Sequence, residues 1–380
     1  MAIHGGDAPF QSIRTAAANP GPSPTFRNFL RAPEPHERFE LGERLAALAT
    51  GANYAREVAA TRELLGRLDQ RMRRADAWTA PLRAGLEPWE NPDIPAGYTY
   101  LAQIVAHDLV HTSMIFPSIG RAAENFRNNR TFSLDLDTLY GGGPGACPAA
   151  YAIAETRGAM RTRLRLSAVR PLESYRHEAK PPNRDIGRAC PAFGNDGFDY
   201  AGPTEALLAD ARNDDNAVVS QLLTVFIHLH NAIIRRLETI HPRESEAPIN
   251  QWLEGLFAMT RSLVCRAYRS IVRHDLAPRL LHPAVNRRYQ DDAAPLLDCG
   301  GGAMPLEFSH AAFRFGHAMV RPSYVFQAGA EPFSVFSVLL TTSSRHPWDT
   351  PLNHRWIAQW SMFFVLGEPA PANLSRRIGP

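Results

Sequence analysis

Four short segments of this 380-residue chain carry polar side chains suited to catalysis or metal binding, set in apolar or turn contexts. In YTYLAQIVAHDLVH, residues 98–111, Gln103 and His107 stand four apart and share one helical face, while Asp108 points about 100° away. Two different partners are implied. In FRFGH, His317 follows Gly316, whose missing side chain leaves room for something bulky. In RTFSLDLDTLYG, residues 130–141, Thr131, Ser133, Asp135 and Asp137 alternate, so an extended loop aims all four to one side. Hard oxygens arrayed in this way suit Ca²⁺, which takes about six to eight of them. In ADARNDDNAVVSQLL, Asp214 and Asp215 suit the first turn of a helix through the macrodipole. Each segment also has a plain structural account: a hydrogen-bonded core histidine, a solvated loop, a helix cap. A cap does not account for Arg212.

The elements that must position these residues read as helices. Residues 1–37 are rich in Pro, Gly and Ala and read as an extended or disordered arm. Helical periodicity runs over 39–68 with a break at Gly51, over 216–240 and over 249–276, and a fourth long helix is expected at 308–321. NPDIPAG, residues 91–97, reads as a turn whose Pro95 ends one element before the helix of His107 begins. From Tyr140 to Thr204 periodicity is low, and an irregular loop surface with a short hairpin in RTRLRLSAV is expected. The class is mainly α, with long irregular loops and few short strands. His228 and His230 read as packing or helix-surface residues rather than ligands.

The 41 basic and 38 acidic residues are spread along the chain for a net charge of +3, which argues against a nucleic-acid partner. The opening lacks a secretory pattern and no run of about 18 apolar residues is evident, so the expectation is a cytoplasmic protein without an integral membrane segment, non-classical secretion remaining open. Four cysteines without a CxxC pair read as free thiols.

Taken together, NPDIPAGYTYLAQIVAHDLVH, TFSLDLDTLYGGGPGA, ARNDDNAVVSQLLTVFIHLHN, AAFRFGHAMVRPSYVF and NLSRRIGP resemble, in this order, the haem peroxidases of the animal type, the peroxidase-cyclooxygenase superfamily, and most resemble its bacterial branch. The resemblance implies a catalytic domain over residues 38–380, incomplete at its C-terminal end, that binds haem b and Ca²⁺. It makes His107 the distal base, Gln103 the residue ordering water or halide beside it, Arg212 the distal arginine and His317 the proximal iron ligand. Arg314 matches the arginine that pairs with a haem propionate. Asp108, Thr131, Ser133, Asp135 and Asp137 match the calcium loop.

The implied activity is reduction of H₂O₂ by two electrons followed by oxidation of small donors such as phenols or halides. The chemistry suits the residue types. A neutral histidine can take a proton from peroxide and return it to the departing oxygen. An arginine stays protonated and steadies the charge developing there.

The chain departs from the family pattern at two ester positions and towards its C-terminal end, and Arg314 makes a fatty-acid dioxygenase the less favoured function. One ester to haem would need an Asp where Ala106 stands, and a second would need a Glu where the shorter Asp215 stands, which leaves at most a single ester and makes mostly or wholly non-covalent haem the expectation. The dioxygenase branch uses a tyrosine three residues before the proximal histidine, and Arg314 occupies that position. Family members also supply, from a later part of the chain, an asparagine that anchors the proximal imidazole, and no residue here corresponds to it. That last departure keeps a second function in view, a haem-deficient relative acting as a binding protein.

Overall fold

The computed structural model describes residues 26–27, 54–72, 80–114, 126–131, 133–169, 185–189, 192–193, 200–201, 204–290, 304–342, 352–367 and 370–378. Most of the expected arm and the first part of the expected helix at 39–68 lie outside these residues, as do Cys190 and Cys299. Cys147 and Cys265 are buried free thiols.

The fold is mainly α. In chain order the described elements are β1 (Phe26–Arg27), α1 (Tyr54–Met72), β2 (Glu90–Pro95), α2 (Gly97–Leu109), β3 (Thr112–Met114), β4 (Phe126–Asn128), α3 (Asp137–Tyr140), β5 (Leu166–Ser167), β6 (Asp185–Ile186), β7 (Ala192–Phe193) and β8 (Tyr200–Ala201). There follow α4 (Ala217–Ile240), α5 (Ile249–Ile271), α6 (Ala277–Leu280), α7 (Pro283–Gln290), β9 (Met304–Pro305), α8 (Leu306–His310), β10 (Ser323–Tyr324), β11 (Phe333–Ser334), α9 (Val335–Thr341) and β12 (Leu374–Arg376). The described strands occur as two-stranded pairs, of which β1 with β9 and β12 with β2 join distant parts of the chain.

Helix α4 runs through the core. Asn216 caps it by accepting the Val219 amide at 2.9 Å, and Val218, Val219, Leu223, Ile227 and Ile234 are almost wholly removed from water. Each such side chain contributes about 1.5–3 kcal/mol. Lower down, Ile234 and Leu237 meet Leu256 of α5. Contrary to the sequence expectation, α4 is long and apolar enough by length and composition to cross a membrane, yet 67% of that stretch is buried within the protein. Its apolar surface serves the core.

Helix α2 is held at its start from the far end of the chain. The Ala96 amide donates to the Asn373 carbonyl at 2.8 Å and the Gly97 amide to the Phe363 carbonyl at 2.9 Å. A Cβ on Gly97 would lie 2.4 Å from the Phe364 ring and 2.7 Å from the Phe363 oxygen, so glycine is what allows this approach. The stretch read as a turn before α2 is instead β2, paired antiparallel with β12 across an irregularity between Leu374 and Arg376.

Two further expectations are corrected. Residues 308–321 form no single helix: α8 stops, Ala311 takes φ −126° and ψ −74°, and a 3-10 helix follows over Ala312–Met319. Phe, Gly and His in FRFGH are weaker helix formers than the apolar spacing suggests. Among the described residues of 140–204, RTRLRLSAV forms no hairpin within itself and part of the segment is core rather than surface. Leu166–Ser167 pairs with Asp185–Ile186, and Tyr140, Tyr151, Leu164 and Ile186 belong to the core.

His230, fully buried on α4, confirms the packing reading. Its Nε2 donates to the Thr162 carbonyl at 2.8 Å and its Nδ1 accepts from the Tyr140 hydroxyl at 3.0 Å.

Candidate active site

The site is built around the last turns of α2. His107 is 7% exposed. Its Nδ1 lies 2.9 Å from Oδ1 of Asn213, and Nδ2 of the same amide donates to the Thr138 carbonyl at 3.3 Å. A carbonyl can only accept, so the Asn213 amide cannot be turned round and the His107 proton is on Nδ1. Nε2 therefore keeps its lone pair, facing Oδ2 of Asp215 at 3.9 Å. Burial, then the nearby Arg212 charge, lowers the His107 pKa to about 4, so the ring is neutral at neutral pH.

The His107 main chain is held as firmly as its ring. Its carbonyl accepts from Arg130 Nε at 3.2 Å and from Arg212 Nη2 at 2.8 Å. Both arginines converge on the buried carboxylate of Asp210, with Arg212 Nη2 at 2.6 Å from Oδ2 and Arg130 also paired there. Burial by itself would push the Asp210 carboxyl up, but the two guanidiniums hold it far below the usual carboxylate range. Arg212 also donates from Nη1 to the Val110 carbonyl at 2.8 Å. Nε, both Nη2 hydrogens and one Nη1 hydrogen are thus engaged, and of the five guanidinium donors one on Nη1 is left over.

The 3-10 turn Ala211–Asp214 that presents Arg212 and Asn213 begins at Asp210, whose side chain caps it. It is fixed from behind by Arg188, 1% exposed, which bonds Asp185 at 2.6 Å and Asp214 at 2.9 Å. Asp214 thus faces a buried arginine rather than the first turn of α4, and the cap is Asn216. Burial raises the Asp214 pKa, with Arg188 opposing. Gln103, one turn before His107, accepts from Asn216 Nδ2 at 3.1 Å and keeps its own amide hydrogens to offer.

His317 lies on the 3-10 helix 312–319, which packs against α2. Its Nδ1 donates to the Arg314 carbonyl at 2.8 Å, which leaves Nε2 as the ring nitrogen not bonded there, and the imidazole is exposed. The Arg314 main chain thus holds one ring nitrogen. Space is open beside Gly316, with no atom within 4 Å of where a Cβ would stand. Arg314 is exposed and donates from Nε to the Ser309 carbonyl at 3.2 Å. An exposed imidazole nitrogen, an open flank and an exposed cation fit a haem group at this face.

The expected calcium loop is assembled, but most of its oxygens are engaged. Asp108 is 2% exposed, Oδ2 accepts the Leu136 amide at 3.0 Å, and Oδ1 has no partner among the described residues. Burial, then Asp137, raises the Asp108 pKa to about 7. Thr131 Oγ1 reaches Asp137 at 3.4 Å and Ser133 Oγ turns back to the Thr131 carbonyl at 3.4 Å. Asp135 and Asp137 meet Arg269 and Arg261. Among the described residues no group of three or more His, Cys, Asp or Glu side chains is arranged to hold a metal ion. The Ca²⁺ expectation does not fit this donor set.

The sequence matches the family described as Animal haem peroxidase over residues 102–366. It is 27% identical to dual oxidase of Drosophila melanogaster over 118 residues, 30% of this chain and 7% of that protein. To thyroid peroxidase of Homo sapiens it is 26% identical over 196 residues, 51% of this chain and 20% of that protein. The matched stretches therefore span a fifth or less of these relatives. Among solved structures, Peroxidase A from Dictyostelium discoideum aligns with 65% of this chain and 51% of its own at 13% identity, with a TM-score of 0.41.

Proposed function

The chain belongs to the animal haem peroxidase family, and from that premise we propose that it reduces H₂O₂ by two electrons and oxidises small donors, phenols or halides. The observation that carries the reading is the His107–Asn213 pair, which leaves a neutral imidazole with its lone pair on Nε2. Bound haem b supplies the redox chemistry. His317 Nε2 is the donor offered to its iron, Arg314 the cation for a propionate, and Asp215 an acidic group near the distal histidine, all without a covalent link.

His107 takes a proton from peroxide at Nε2 and returns it to the departing oxygen. Its low pKa suits the neutral form this needs, and a positioned acid–base group of this kind contributes about 10²–10⁴-fold. Arg212 acts in two ways: it holds the His107 carbonyl, and its remaining Nη1 hydrogen is the one free to meet developing negative charge. Gln103 directs its amide hydrogens to water or halide. The likeness of the five segments to the bacterial branch belongs to this same proposal.

A second reading, a haem-free binding protein, draws on the exposure of His317 and Arg314. Titrating the chain with haem and then adding one equivalent of H₂O₂ separates the two. A saturable one-to-one Soret band that shifts on peroxide and recovers with a phenol supports the peroxidase. Absence of stoichiometric binding, or binding without reaction, supports the alternative.

A further inference from the structure

Arg261, Cys265 and Arg269 of α5 stand four residues apart and therefore form one stripe along the helix. The stripe lies against the loop that runs from Thr131 to Asp137. Arg269 Nε donates to the carbonyls of Ser133 and Leu134 at 3.2 Å each, and its Nη2 pairs with the Asp135 carboxylate. The Cys265 thiol donates to the Asp135 carbonyl at 3.1 Å. Arg261 Nη2 lies 3.5 Å from Oδ1 of Asp137, a carboxylate only 2% exposed.

We propose that Arg261 and Arg269 take the place of a divalent cation, so that the loop beside His107 is held by two guanidiniums and needs no Ca²⁺. Two positive charges already meet the two carboxylates of the loop. Three of the five positions expected to supply ligands, Ser133, Asp135 and Asp137, give oxygens to α5 instead. Ca²⁺ asks for about six to eight oxygens at once, and an ion entering here would have to expel both arginines.

The backbone adds a second observation. Leu134 and Leu136 adopt φ 51° and 52°, the left-handed region that leucine seldom visits. Such a conformation persists where its surroundings over-determine it. The contacts from α5 fall on and between these two residues, at the carbonyls of Ser133, Leu134 and Asp135.

The proposal reaches beyond the peroxidase reading and does not depend on it, since its test needs neither haem nor peroxide. The test is thermal unfolding of the full chain in millimolar Ca²⁺ and in excess EGTA, together with calorimetric titration by Ca²⁺. The expected result is one Tm in both solutions and no saturable heat. Arg269→Gln should lower the Tm by several degrees in both, and Arg269→Lys, which keeps the charge without the fork, should fall between. A wild-type Tm that rises with Ca²⁺, a saturable one-to-one binding heat, or an Arg269→Gln variant as stable as wild type would overturn it. The wild-type comparison decides even if a variant fails to fold.

Discussion

The Asn213 amide stands between His107 Nδ1, at 2.9 Å, and the Thr138 carbonyl, at 3.3 Å, and so links the His107 imidazole of α2 to the first turn of α3. Removing it should leave the ring in place without fixing its tautomer. Asn213→Ala is expected to slow the reaction with H₂O₂ by about 10–100-fold, the usual cost of losing a hydrogen bond that orients a functional histidine. Stopped-flow Soret changes give the rate. A variant as fast as wild type would show that Asn213 does not set the ring.

His107→Ala removes the base itself. The same stopped-flow rate should fall by about 10²–10⁴-fold, while the haem titration keeps its one-to-one end point. An unchanged rate would sink the assignment of His107.

Arg188→Met leaves Asp185 and Asp214, both almost fully buried, without their cation. A break of this kind costs about 3–5 kcal/mol. Urea unfolding of wild type and variant measures it, and a loss under about 1 kcal/mol would contradict the structural role given to the pair.

His230 gives stability a dependence on pH. Burial lowers its pKa to about 4, against an ordinary 6.5 in the unfolded chain. Between these values the unfolded chain binds a proton that the folded one refuses, so stability falls as the pH falls. The contribution is fully present above about pH 6.5 and is lost as the pH drops through 4. Its full size is about 3 kcal/mol, from a shift worth about 1.4 kcal/mol per unit. His230→Gln should flatten the difference in unfolding free energy between pH 7 and pH 4.5. Parallel curves for the two proteins would rule this out.

The long helices were legible because their periodicity is local: α4 and most of α5 lie where the apolar spacing places them. What escaped was set by partners far along the chain. Glu90–Pro95 reads as a turn until its partner Leu374–Arg376 is known, and Asp214 reads as a helix-cap residue until Arg188 arrives beside it. In the site, His107, Gln103 and Asp215 stand close to the 3-10 turn that carries Arg212, a grouping that the family resemblance implied and spacing alone did not. Asn213, Asp210 and Arg130 did not stand out, since an Asn or Asp in a turn and an Arg before a polar loop are common. The spacing of Arg261, Cys265 and Arg269 was available as a signal, but only the facing loop gives it meaning.

The pairing of β12 with β2 orders events in time. Residues about 280 apart in sequence must meet before the start of α2 acquires its bonds from Phe363 and Asn373. Contacts so distant form slowly, and during synthesis the N-terminal parts of a chain emerge first. The start of α2 therefore gains these bonds only once residues 363–376 have been made, and a cofactor that relies on that anchored helix follows them.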